Sequence, residues 1–185
     1  MPWYVVLLRS LTEFIAPTQF VKTVKKGEEE KVKPVNKFNA TTIVTGKGDW
    51  EKVFYIRGKP FAGAINYFVN YTEEGKTWRE FWERFKQNLE CIAGAFFKPE
   101  CVAQGKEFYV KPGKSFEADV LKEGSLVTLF LKTREPLDER DLEQLKTLMT
   151  LAYTEVGVGK RKKYGFGKFV VVDVKEGYNP WIGPQ

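Results

Sequence analysis

Histidine is missing from all 185 residues. Its absence removes the commonest general base, the imidazole metal ligands and every nucleophile that relies on a neighbouring imidazole. Cysteine is scarce as well: Cys91 and Cys101 stand alone, without metal-ligand spacing or a disulfide framework, so free thiols are expected. Aspartate does not occur before Asp49. Nowhere do eighteen apolar residues run together, and Met1-Pro2-Trp3 leads straight into a strand-like run without a charged segment and an apolar core behind it. A cytoplasmic protein without a membrane partner is expected, and neither a cofactor nor a metal is called for.

Acidic residues are also absent from 157–168, and that stretch carries the sharpest functional signal. It reads Gly157-Val158-Gly159-Lys160-Arg161-Lys162-Lys163-Tyr164-Gly165-Phe166-Gly167-Lys168: four glycines frame five cations and two aromatics. Glycine lets backbone approach a ligand closely, and clustered cations make a local anion site. The formal net charge is +6, so most of the basic excess is concentrated in this one place. A phosphodiester chain fits such a site, with Tyr164 and Phe166 offering ring faces to unstacked bases. The competing reading is a solvated turn at a helix C-terminus, where cations complement the helix dipole and glycine caps the last turn. A nucleotide-binding P-loop does not fit. Gly167-Lys168 is followed by Phe169, the residue five before Gly167 is Lys162, and the loop joins helix to strand instead of strand to helix.

The length suits a single domain spanning 1–185, and 43% hydrophobic residues suffice for a core. Trp3-Tyr4-Val5-Val6-Leu7-Leu8 predicts a strand over 3–10, covered on both faces. Residues 12–49 are too long and too charged for an ordinary connection. They read either as a mobile loop or as an inserted thumb-like arm, a hairpin of 19–26 with 30–36 around Lys26-Gly27-Glu28. A strand at 52–56 precedes a helix starting near Pro60, with Phe61, Ala64, Ile65 and Phe68 on one face and a break over 72–76. Trp78, Phe81, Trp82, Phe85 and Leu89 mark a second helix whose aromatic stripe belongs to the core, and Cys91 continues it. Cys101 falls in a loop. Strands follow at 108–110, 116–121 and 126–132, the last two joined in hairpin fashion through 122–125. Asp138 caps a helix carrying Leu142, Leu145, Leu148, Met149 and Ala152. A last strand at 169–174 leads into a Pro/Gly tail, 177–185. The fold class is therefore α+β: a ferredoxin-like (RRM-like) βαββαβ unit with a long insertion after the first strand and a glycine-rich loop before the last. Sheets of that kind often bind single-stranded RNA.

Two segments carry a family resemblance. Tyr55-Ile56-Arg57-Gly58-Lys59-Pro60-Phe61-Ala62-Gly63-Ala64-Ile65 resembles the segment Ile-Pro-Gly-Ser-Ser-Leu-Lys-Gly-Ala-Leu that opens the first helix of CRISPR-associated RAMP proteins, and 157–168 resembles the glycine-rich loop before their last strand. Leu8-Arg9-Ser10-Leu11-Thr12 is similar to the end of their first strand, with Glu13 where proline is usual. Arg57 stands in place of a proline, Lys59-Pro60 in place of paired serines and Ala62 in place of a lysine; Arg57 and Lys59 supply cationic charge beside a helix N-terminus that already favours phosphate.

The resemblance implies a role in CRISPR defence, as in the backbone subunits of type III effector complexes or the guide-processing ribonucleases. In such backbone subunits target cleavage is attributed to an aspartate after the first strand, which residues 1–48 lack. Processing members frequently use histidine, which this chain lacks entirely. The leading expectation is a non-catalytic subunit that holds single-stranded guide RNA among other CRISPR-associated subunits. Its contacts would be the glycine-rich loop, from Gly157 to Lys168, together with Arg57 and Lys59. Two alternatives stay open: a metal-independent repeat-RNA endoribonuclease using Tyr164 or Lys160, and a structural adaptor whose basic loop docks an acidic protein.

Overall fold

The first segment is apolar at every position from Trp3 to Leu8, and strand geometry sends its successive side chains to two faces of one sheet, both covered. In the computed structural model, which describes residues 1–23, 27, 29 and 31–185, that segment is β1 (Trp3–Ser10). Tyr4, Val6 and Leu8 enter the main core, while Val5 belongs to a second cluster with Phe96 and Phe130. The remaining strands of the main sheet are β5 (Asn39–Val44), β6 (Trp50–Ile56), β7 (Leu89–Phe97), β10 (Leu126–Thr133) and β11 (Phe169–Glu176), numbered by their place in the chain. They run in the spatial order β11-β1-β10-β7-β6-β5. Three further strands lie between β1 and β5: β2 (Phe14–Ile15), β3 (Thr18–Thr23) and β4 (Lys31–Asn36). A three-stranded sheet combines β2 with β8 (Val102–Lys111) and β9 (Lys114–Leu121) in the order β2-β9-β8, and β3 pairs with β4 alone. Every ladder among the described residues is antiparallel.

The helices lie on one face of the large sheet. α1 (Lys59–Tyr71) buries Phe61, Ala64, Ile65, Phe68 and Val69, the face its spacing predicts. The expected break over 72–76 is instead a single helical turn, α2 (Glu73–Lys76), because the Thr72 side chain accepts from the Gly75 N–H and caps it. α3 (Arg79–Asn88) buries Phe81, Trp82 and Phe85, and the Trp82 indole donates to Asn66 Oδ1 at 2.6 Å, so the aromatic stripe is core. α4 (Glu139–Glu155) starts at Asp138, whose carboxylate accepts from the Asp141 N–H, and buries Leu145, Leu148, Met149, Ala152 and Tyr153.

Several expectations give way to tertiary pairing. Cys91 lies in β7, not in a helix: α3 ends at Asn88, and the chain turns into an extended segment bonded to β10 and β6. Cys101 falls in a short 3-10 turn, and both thiols are free. Strands β9 and β10 do not form a hairpin. β9 takes β8 as its partner across the Pro112-Gly113 turn, whereas β10 slots between β1 and β7, so 122–125 carries the chain from one sheet to the other. That crossing is fastened by Ser10, which donates to Lys122 O and accepts from the Ser125 N–H.

Within 12–49 a hairpin forms as expected, with strands Thr18–Thr23 and Lys31–Asn36 in place of 19–26 and 30–36, Thr18 opposite Asn36 and Thr23 opposite Lys31. Of its expected turn, Lys26 and Glu28 lie outside the described residues. The rest of the segment supplies β2 and β5, so much of it is woven into both other sheets. The 177–185 tail crosses the face of the main sheet opposite the helices. Tyr178 packs on Phe130 at 5.4 Å between ring centres, Trp181 on Phe96 at 5.5 Å, and the Val44 N–H donates to Pro180 O.

Candidate functional site

The glycine-rich loop begins where α4 ends and is pinned along both edges. The Val158 N–H donates to Gly167 O at 2.7 Å, the Gly167 N–H to Glu13 O at 2.9 Å, and the Leu11 N–H to Lys168 O at 2.8 Å. Lys168 N–H also donates to Thr12 Oγ1. Closure requires glycine at 167: its φ is +75°, and a Cβ there would lie 1.8 Å from Val158 O. Val158 is itself fully buried, so the loop is a folded ring with a core residue of its own.

The ring sends its side chains in different directions. Arg161 has a left-handed backbone, φ 54°, and a 3-10 turn over Lys162–Tyr164 follows it. Its guanidinium lies over the Phe116 ring, 4.6 Å from the centre, and 5.8 Å from the Tyr164 ring centre. Phe166 meets Phe108 edge-on at 5.5 Å and packs among Ile15, Ala118 and Val120 of the smaller sheet. Tyr164, 75% exposed, leaves most of its ring to solvent beside Arg161, whereas Phe166 serves chiefly as the loop's apolar anchor.

Lys160 turns toward the hairpin, where its ammonium donates to Thr18 Oγ1 and, at 2.9 Å, to Asn36 Oδ1. Asn36 in turn donates to Glu117 O on β9, which ties the base of the hairpin to the smaller sheet. Partial burial pushes the Lys160 ammonium below its ordinary pKa, and the adjacent Arg161 charge lowers it further.

Lys160 shares a groove with the second predicted element. Arg57, Lys59 and Pro60 at the start of α1, Gly159 and Lys160 of the loop, and Thr18, Gln19 and Phe20 of the hairpin line one cavity of about 780 Å³. Buried Phe14, Ile15 and Ile56 line it too, and Phe20 is 72% exposed. Arg57 and Lys59 are exposed. The N-terminus of α1 has no side-chain cap and no acidic residue in its first turn; Pro60 has no N–H and the Phe61 and Ala62 N–H groups donate to Gly58 O, so it is the positive end of the helix dipole that adds to the charge of that wall. Lys162, Lys163, Gly165 and Lys168 do not join this groove; they border a separate concavity beside α1 and the end of α4. Sequence reasoning missed Phe20, Tyr55 and Asn36 in or beside the groove. Only the placement of the hairpin against the loop marks them out.

No family model and no curated protein matches this chain. Among solved structures it is similar to a chain of one titled "Type IV-B CRISPR Complex", with a TM-score of 0.52 and 10% identity over 99% of this chain and 93% of that one. At that identity the likeness is one of fold, and it extends over nearly the whole of both chains.

Proposed function

We propose that the chain is a non-catalytic RNA-binding subunit of a CRISPR effector complex, holding single-stranded guide RNA against its glycine-rich loop and working beside other CRISPR-associated subunits. Its core is of the ferredoxin-like, RAMP type. The order β11-β1-β10-β7 supports that reading, with α1 to α3 before β7, α4 between β10 and β11, and β5 and β6 as an added edge contributed by the segment between β1 and α1. The fold likeness to a chain of a CRISPR complex supports the same reading. The observation that carries it is the groove. Two stretches about a hundred residues apart in sequence, each basic, converge on one cavity whose third wall is the hairpin.

A polynucleotide bound there is gripped by its phosphates, so affinity falls with salt and is nearly independent of base sequence. Neutralising three phosphates at Arg57, Lys59 and Lys160 contributes a slope of about −2 to log K against log salt on single strands. The expected outcome with a mixed-sequence oligoribonucleotide is a slope at least that steep, flattened when the three residues are changed to Ala together. A wild-type slope flatter than about −1 overturns the reading. Specific cleavage of repeat RNA by the pure protein in EDTA would sink its non-catalytic part.

A further inference from the structure

The loop's other cations face a place that the groove does not explain. Lys162, Lys163 and Lys168 border a concavity of about 570 Å³ together with Tyr67 of α1 and Glu155 at the end of α4. Three cations against one carboxylate leave it positive, and the space is within the range of small-ligand sites. Tyr67 is on the helix face turned away from the core: it is 51% exposed, and Tyr71 one turn on is 73% exposed, their rings 5.0 Å apart and inclined at 38°. The packing of α1 needs neither ring, since the helix is held by Phe61, Ala64, Ile65, Phe68 and Val69.

Resting on the RNA-binding reading above, we propose that Tyr67 and the three lysines form a second subsite for the same single strand, the lysines taking phosphates and Tyr67 stacking a base. The left-handed turn at Arg161 is what makes this geometry: Lys160 points to the hairpin groove, and the next two lysines point to the far side of the loop. A strand draped over the loop therefore meets cations on both flanks and an aromatic platform on one. Stacking on a tyrosine tolerates any base, as guide binding requires.

The test uses the full chain and a single-stranded oligoribonucleotide containing 5-iodouridine, irradiated and mapped by mass spectrometry. Cross-links are expected at Tyr67 or Tyr71. Tyr67→Ala should weaken binding about tenfold, with Tyr67→Trp restoring it. Changing Lys162, Lys163 and Lys168 together to Ala should flatten the salt slope by about 2. If RNA binds but cross-links only around the hairpin groove, and Tyr67→Ala binds as wild type does, the subsite is refuted while the RNA reading stands. Failure of the wild type to bind RNA at low salt removes both. Retention of polyglutamate instead of RNA, lost in the triple-lysine variant, would make the concavity a dock for an acidic protein and overturn the proposal.

Discussion

Gly167 and Gly165 are two residues apart in one loop, both with left-handed backbone, yet they do different work. At Gly165, φ +91°, nothing lies within 4 Å of where a Cβ would be; at Gly167 the Val158 carbonyl blocks it. Gly165→Ala meets only the conformational penalty, about 1 kcal/mol. Gly167→Ala must also part the Val158–Gly167 hydrogen bond that closes the ring, adding roughly 1 kcal/mol or more. Denaturant unfolding of the two variants should rank them in that order. Equal losses would mean the ring does not depend on close approach at 167. The sequence displayed four glycines around a cationic block, but which of them are steric necessities depends on where the backbone doubles back.

At the scale of elements, what depended on local pattern was readable apart from the single turn of α2, closed by the Thr72 cap where a break was expected. The apolar spacing of α1, the Asp138 cap of α4, the β1 run and the existence of the β3–β4 hairpin all follow from near neighbours in the chain. What failed depended on distant partners. β7 continues a helical pattern up to Leu89, and its extended conformation is imposed by β10 and β6; β9 and β10 look like a hairpin until their true neighbours are known. The candidate site divides in the same way: the cations were legible, but the groove was not, because its third wall is the hairpin. Phe20 on that wall offers a clean test. It is exposed, so Phe20→Ala should change stability by less than about 0.5 kcal/mol. Under the RNA-binding reading the same variant weakens single-strand affinity, and fluorescence anisotropy beside a thermal melt separates the two effects. Unchanged affinity would remove the hairpin from the contact surface.

For the molecule as a whole, the tail decides which surface remains for a ligand. The face of the main sheet opposite the helices carries Val5, Ile43, Val53 and two rings, Phe96 and Phe130, which are the side chains there able to stack a base. Tyr178 and Trp181 already lie against it. Under the proposed reading, RNA is met by loop, helix start and hairpin instead. Trp181→Ala should therefore cost about 1 kcal/mol of stability through the lost ring contact and leave RNA affinity unchanged. A drop in affinity larger than the change in stability explains would place RNA on the sheet face after all.

The bond from Lys160 to Thr18 joins positions 142 residues apart, and that from Lys168 to Thr12 spans 156. Closures over such spans carry a large loop-closure entropy, as does the still longer pairing of Tyr4 with Glu176 in β1 and β11, and they are favourable only with the intervening strands in place. The groove therefore exists only where the tertiary structure is complete. Under the proposed reading, a nascent or partly unfolded copy lacks this surface, and binding is left to molecules that have completed their tertiary structure.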